Sequence, residues 1–239
     1  MLSRQTPQQS RLLAVLPAAE RERLFPHLEL VALTAGEVLY ESRVRFEHVY
    51  FPTDCIVSLL YLMEDGASAE IAVVGNEGLV GIALFMGGDT TPSRAVVRSA
   101  GYAYRLPGKL LQQEFARSGP VQHLLLRYTQ ALLTQMAQTQ ACSRHHTIDQ
   151  QFCRWLLLSL DRLPSSKMKM TQDEIANLLG VRREGVTVAA GRLQKAGLIE
   201  YARGRITVLD RAGLEKQSCE CYQVVKREFD RLLPDVMAT

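Results

Sequence analysis

The chain has 239 residues, 47% of them hydrophobic and 22% charged, with 28 Lys+Arg against 25 Asp+Glu for a net charge of +3; these figures exclude a mainly disordered protein and allow one large or two ordinary domains. No apolar run approaches the ~18 residues of a membrane span, and Met1 to Gln9 has no apolar stretch of a secretory signal, so the expected location is the cytoplasm, with no membrane partner. Five cysteines, an odd number, suit a reducing compartment better than a disulfide framework.

From about residue 30 to 106 the sequence reads as short strands: Leu30–Leu33, Val38–Tyr40, His48–Phe51, Ile56–Leu62, Glu70–Val74, Ala95–Val97 and Tyr102–Leu106. Turn signals separate them at Ala35-Gly36, Pro52-Thr-Asp, Asp65-Gly66, Gly75-Asn76, Gly87-Gly88-Asp89 and Thr91-Pro92. Strands at this regular spacing predict an antiparallel β-roll of jelly-roll type.

Near Gly119-Pro120 the period changes to that of a helix, with Leu125, Tyr128, Leu132, Met136 and Thr139 at spacings of three or four. Its interior, from Thr129 to Gln140, carries no charge. Such a helix packs against another surface: either the core of its own chain or the seam of a two-fold dimer. A second helix, Ile148 to Leu163, presents Phe152, Trp155, Leu156 and Leu160 at helical spacing and stops at Pro164. The segment between the two helices is the natural domain boundary.

Thr171 with Glu174 three residues later forms a capping-box pattern; Ile175, Leu178 and Leu179 supply an apolar face, and Gly180 a left-handed stop. A new helix begins near Arg182 or Arg183, with Val186, Ala189, Ala190 and Leu193 inward. Two short helices around a tight turn containing Gly are a helix-turn-helix. A hairpin follows, Ile199–Tyr201 and Ile206–Leu209, turning through Ala202-Arg203-Gly204-Arg205, which makes the unit a winged helix. Charge agrees with this placement. Residues 1–146 hold 13 basic and 13 acidic groups, whereas Arg162 to Arg211 holds 10 basic against 5 acidic, a local excess that attracts a polyanion.

In such a unit the second helix enters the major groove of double-stranded DNA. Arg182, Arg183, Glu184 and Thr187 are the candidate base readers, since Arg pairs with guanine and Glu accepts from cytosine. Thr171, Gln172, Arg192, Arg203 and Arg205 are the candidate phosphate contacts. The alternative is a small-molecule-binding module whose winged helix makes protein contacts. No phosphate loop, nucleophile elbow or metal-hydrolase signature points to an enzyme.

In this order of elements, from about residue 24 to 217, the sequence resembles the CRP/FNR family of bacterial transcription regulators. The resemblance rests on Gly36-Glu37, Tyr50-Phe51-Pro52, Gly78-Leu-Val-Gly81, Thr171-Gln-Asp-Glu-Ile-Ala and Gly180-Val-Arg-Arg-Glu. It implies an α+β protein with an N-terminal β-roll effector or sensor domain (1–118), a long dimerisation helix (119–142) and a C-terminal winged helix-turn-helix domain (147–239). It also implies a homodimer joined along Leu125, Tyr128, Leu132 and Met136, binding palindromic sites, with RNA polymerase as a further partner. Gly185 stands where relatives carry Thr or Ser.

The candidate effector pocket, by the same resemblance, comprises Gly81, Ile82, Ser93, Arg94, Thr139 and Gln140. Its Gly81-Ile82 and Ser93-Arg94 depart from the Gly-Glu and Arg-Ser pairs of cyclic-nucleotide binders, which argues against cyclic AMP. The first cysteine is Cys55, so the N-terminal iron–sulfur cysteine cluster of the oxygen-sensing branch is absent. Among His27, His48 and His123 nothing selects a haem ligand. Cys219-Glu-Cys221, and Cys142 with His145, His146 and Cys153, lack a recognised ligand spacing and read as buried thiols and solvated histidines, so no metal is expected.

Overall fold

A computed structural model describes residues 5–233; residues 1–4 and 234–239, the outer ends of the first and last predicted segments, lie outside the described residues. Two short helices, α1 (Arg11–Ala14) and α2 (Ala18–Leu24), precede seven strands: β1 (Glu29–Leu33), β2 (Val38–Tyr40), β3 (His48–Pro52), β4 (Ile56–Leu62), β5 (Ser68–Val74), β6 (Ser93–Ser99) and β7 (Gly101–Pro107). Every predicted strand is present, with its ends moved by two residues at most. The strands pair antiparallel in two sheets, ordered β1-β7-β3 and β2-β6-β4-β5. Their period-two pattern decides which face is inward: Val49 and Phe51 are buried on β3 while His48 and Tyr50 are half-buried, and Ala95 and Val97 are buried on β6. Each such Val, Leu or Phe taken from water contributes about 1.5–3 kcal/mol.

Helix α3 (Gly108–Ala116) leaves the roll and α4 (Pro120–His145) runs for 26 residues, about 39 Å at the helical rise. Leu125, Tyr128 and Leu132 are buried in the core of their own chain. The Tyr128 hydroxyl donates to the Leu79 carbonyl at 2.9 Å. Gly78 makes room for it, since a Cβ there would lie 2.6 Å from that hydroxyl oxygen. Gln135 spans backbone of β5: its Nε2 donates to the Val73 carbonyl at 2.9 Å and its Oε1 accepts from the Val73 amide at 3.4 Å. The uncharged interior of α4 thus faces a sheet whose backbone it helps to satisfy.

Helix α5 (Ile148–Leu160) starts at a capping box between Thr147 and Gln150 and is buried on almost every side. Two buried ion pairs lie where its C-terminal end meets the roll. Arg98 of β6 lies 3.2 Å from Glu70 of β5, donates to Ser159 of α5 at 2.8 Å and lies 4.8 Å over the Trp155 ring. Arg162 lies 2.7 Å from Glu77 and donates to the Leu158 carbonyl. Beyond α5 come β8 (Lys167–Lys169), α6 (Gln172–Leu179), α7 (Arg183–Lys195), β9 (Ile199–Ala202), β10 (Arg205–Val208), α8 (Arg211–Gln217) and α9 (Glu220–Leu232). Helix α9 returns along α4 in the opposite direction, with Cys219 against Cys142 at one end and the Phe229 ring 6.5 Å from Tyr128 at the other. No helix among the described residues is long and apolar enough to cross a membrane.

Candidate nucleic-acid interface and sensor cavity

The geometry of α6 and α7 follows from local chemistry. Thr171 accepts the Glu174 amide at 3.2 Å, and the Glu174 carboxylate accepts the Thr171 amide at 2.6 Å, closing the capping box. Gly180 takes the left-handed φ of +66° that ends α6, a region open to glycine at no steric cost. Val186, Ala189, Ala190 and Leu193 then anchor α7, leaving Arg182, Arg183, Glu184 and Thr187 exposed on its first two turns. Arg183 Nε is 3.5 Å from Asp173, and the Thr187 hydroxyl donates to Gln172 Oε1 at 2.7 Å. The four predicted base readers therefore share one open surface, with Gln172 bound to one of them.

The wing turns through Arg203 and Gly204, both at positive φ, +50° and +71°, the mirror-type turn whose twist suits a two-residue hairpin. Arg203 and Arg205 are exposed at its tip. Strand β8 adds a third strand against β10, and its exposed Lys167 and Lys169 extend the basic surface. They were missed because three residues show too little alternation to read as a strand.

Two predicted contacts are engaged elsewhere. Arg192 is bound to Asp149 of α5 at 3.1 Å, and the Thr171 hydroxyl is occupied by Glu174 at 2.8 Å. Gly185 packs on α5, where a Cβ would lie 2.6 Å from the end of Ile148. The tip residues Arg203 and Gly204, with Thr171, also line a cleft of about 490 Å³ against Gly36, Ser58 and Arg98 of the roll.

The predicted effector residues do not converge. Thr139 and Gln140 border a cavity of about 50 Å³ with Glu70, Gln135, Arg154 and Trp155, while Gly81, Ile82, Ser93 and Arg94 lie outside its lining. Arg94 is 3.1 Å from Glu41, Ser93 Oγ is 3.1 Å from Thr91 Oγ1, and Gly81 begins a short turn through Ile82. A volume of 50 Å³ holds a water or two, far less than a drug-sized or nucleotide ligand occupies.

The residues assigned to a dimer seam require correction. Leu125, Tyr128 and Leu132 are 2%, 1% and 1% exposed within their own chain, and Met136 is partly buried against the same core. Of the two surfaces open to this helix, that face takes the intramolecular one. Leu126 and Leu133, seven residues apart and 50% and 56% exposed, are its outward apolar residues.

The cysteine and histidine groups that the sequence separates are brought together. Cys142 and His146, at the end of α4, meet Cys219 and Cys221, at the start of α9, with their four candidate ligand atoms all within 4.8 Å of one another. His145 is exposed and Cys153 is buried outside this group. The contact from the Cys142 thiol pulls Cys219 below the ordinary thiol range and pushes Cys142 above it.

Two family profiles match the chain: that of the cyclic nucleotide-binding domain over residues 30–118 and that of the Crp-like helix-turn-helix domain over 150–217. No curated protein matches it in sequence. Its fold is shared with a transcriptional regulator of the CRP/FNR family from Eubacterium rectale, at 17% identity and TM-score 0.68 over 84% of this chain and 94% of that one. A CRP/FNR regulator from Thermus thermophilus is 23% identical with TM-score 0.63, over 80% and 98%. FixK2 from Bradyrhizobium japonicum is 17% identical with TM-score 0.64, over 80% and 98%.

Proposed function

Because the chain belongs to the CRP/FNR family of transcriptional regulators, we propose that it acts as a cytoplasmic homodimer that binds palindromic promoter sites through α7. The observation that carries this reading is the joint exposure of Arg182, Arg183, Glu184 and Thr187 on the first turns of α7, beside the basic tip Arg203 and Arg205. Arg183 reads guanine bidentately and Glu184 accepts from cytosine, with Arg182 and Thr187 as flanking contacts. Arg203, Arg205 and the backbone at the start of α6, near Thr171 and Gln172, hold phosphates. Arg192 joins them when it leaves Asp149.

On this reading residues 1–118 form the sensor, 119–142 the dimer helix and 147–239 the DNA-binding part. The second copy lies along the Leu126 and Leu133 face, and RNA polymerase is met by the assembled dimer. The signal is one other than cyclic AMP, since Arg94 is engaged by Glu41 and the cavity at Thr139 and Gln140 is small.

Gel-shift titration of the full-length protein against fragments of its genome, its own promoter included, tests the proposal across a series of salt concentrations. Selective binding to fragments with inverted repeats, lost in Arg183→Ala, is expected. Binding without sequence preference that Arg183→Ala leaves unchanged would sink base readout by α7.

A further inference from the structure

The cluster at the junction of α4 and α9 has features of a built site. Cys142 and His146 sit four residues apart, one helical turn, at the end of α4, and Cys219 and Cys221 occupy the N-cap and first turn of α9. The three cysteines form a small buried group separate from the main core, and all are free thiols. Cys142 Sγ lies 3.5 Å from Cys219 Sγ, and Cys221 Sγ lies 3.6 Å from His146 Nδ1. A tetrahedral zinc ion with bonds of about 2.3 Å to sulfur and 2.0–2.1 Å to nitrogen sets its ligands roughly 3.5–3.8 Å apart, so these two separations are those of ligand edges.

The surroundings point the same way. With Nδ1 toward the thiols, His146 Nε2 faces the Glu220 carboxylate at 3.3 Å, the outer partner that fixes the tautomer of a metal-binding histidine. The N-terminus of α9 favours thiolates. Arg154 is buried, and its Nε has no hydrogen-bond partner among the described residues. It offsets the net negative charge that three thiolates leave on a divalent ion.

We infer that Cys142, His146, Cys219 and Cys221 form a Cys3His site for Zn2+ that clasps the end of the long helix to the C-terminal helix. Sulfur and imidazole donors select against Mg2+ and Ca2+. Ligand atoms all within 4.8 Å suit a single ion and are too close together to surround several irons with bridging sulfides. Four protein ligands leave no open position, so the site is structural. Loading releases the remaining thiol protons to solvent, and no oxidant or reductant is needed.

The test is metal analysis of the full-length protein, purified without chelator from zinc-supplemented cells and dialysed. One zinc per chain is expected, falling to near zero in Cys219→Ser and in Cys142→Ser and unchanged in Cys55→Ala. Because a serine variant could fail by misfolding, the wild-type chain is also stripped with a chelator and reloaded with Co2+, which should give tetrahedral d–d bands with thiolate charge transfer. A chain that retains no zinc and gives no such spectrum overturns the proposal. So does iron with acid-labile sulfide, or a Cys142–Cys219 disulfide in peptides of the freshly isolated protein.

Discussion

The Arg162 guanidinium lies 2.7 Å from the Glu77 carboxylate, and both side chains are under 10% exposed. This pair joins the turn after β5 to the end of α5, with the guanidinium 5.9 Å over the Phe229 ring of α9. Three parts of the chain meet at one desolvated charge pair. Removing one partner leaves the other buried and unpaired, so Glu77→Ala should destabilise the fold by about 3–5 kcal/mol. Replacing both, as Glu77→Leu with Arg162→Met, should recover most of that loss. Urea unfolding followed through Trp155, the one tryptophan of the chain, measures both.

Arg183 and Arg205 should fail in different ways. Loss of a bidentate base contact in Arg183→Ala costs about 1–3 kcal/mol on the preferred site and relaxes preference at the contacted base pair. Arg205→Ala on the wing should weaken all sequences alike and reduce the slope of log affinity against log salt by about 1. Fluorescence anisotropy over a salt series separates the two.

Asp149 holds Arg192 at 3.1 Å. Asp149→Asn should free that guanidinium and remove a negative charge beside α7, tightening DNA binding and steepening its salt slope by about 1. The same change costs the first turn of α5 about 0.3–1 kcal/mol of favourable helix-dipole interaction. Tighter binding with a slightly lower Tm is the expected pair of results; unaltered affinity would mean Arg192 never reaches phosphate.

The two faces of α4 should answer differently to substitution. Leu126→Glu with Leu133→Glu should give a folded monomer by analytical ultracentrifugation, with native helicity and weakened binding to a palindrome. Leu125→Ala should instead lower stability by about 2–5 kcal/mol without changing the subunit count at a temperature where it stays folded.

Cyclic AMP at millimolar concentration should leave Tm unchanged. A ligand present at a hundred times its Kd stabilises by about 2.7 kcal/mol, which a thermal melt would register as several degrees.

The strands of the roll were legible because two physical signals coincide in them: alternation, as in Val49 and Phe51, and turns marked by Gly and Pro. The helix-turn-helix was legible for a similar reason, since the Thr171–Glu174 box and Gly180 are local. What was not legible depends on packing across the chain. Periodicity finds an apolar face of α4 but does not distinguish β5 from a second copy as its partner, and only the packing of the whole chain puts Leu125 and Leu132 in its own core. Nothing local announces that Arg98 and Glu70 will be buried together. Cys142 and Cys219 stand 77 residues apart, and only the return of α9 along α4 makes neighbours of them. The same holds for Arg192, whose partner lies on another helix.

Arg98 grips Ser159 and Trp155 near one end of α5, while Ile148 at the other end supports Gly185 of α7. The intervening helix is about 16 Å long, so a tilt about its sheet end would be carried to α7 as by a lever arm. A tilt of roughly 12° at that end swings the far end by about 3.4 Å, one base-pair step along a duplex. In a two-fold assembly both arms swing, and their reading heads would fall out of phase with the two halves of the operator.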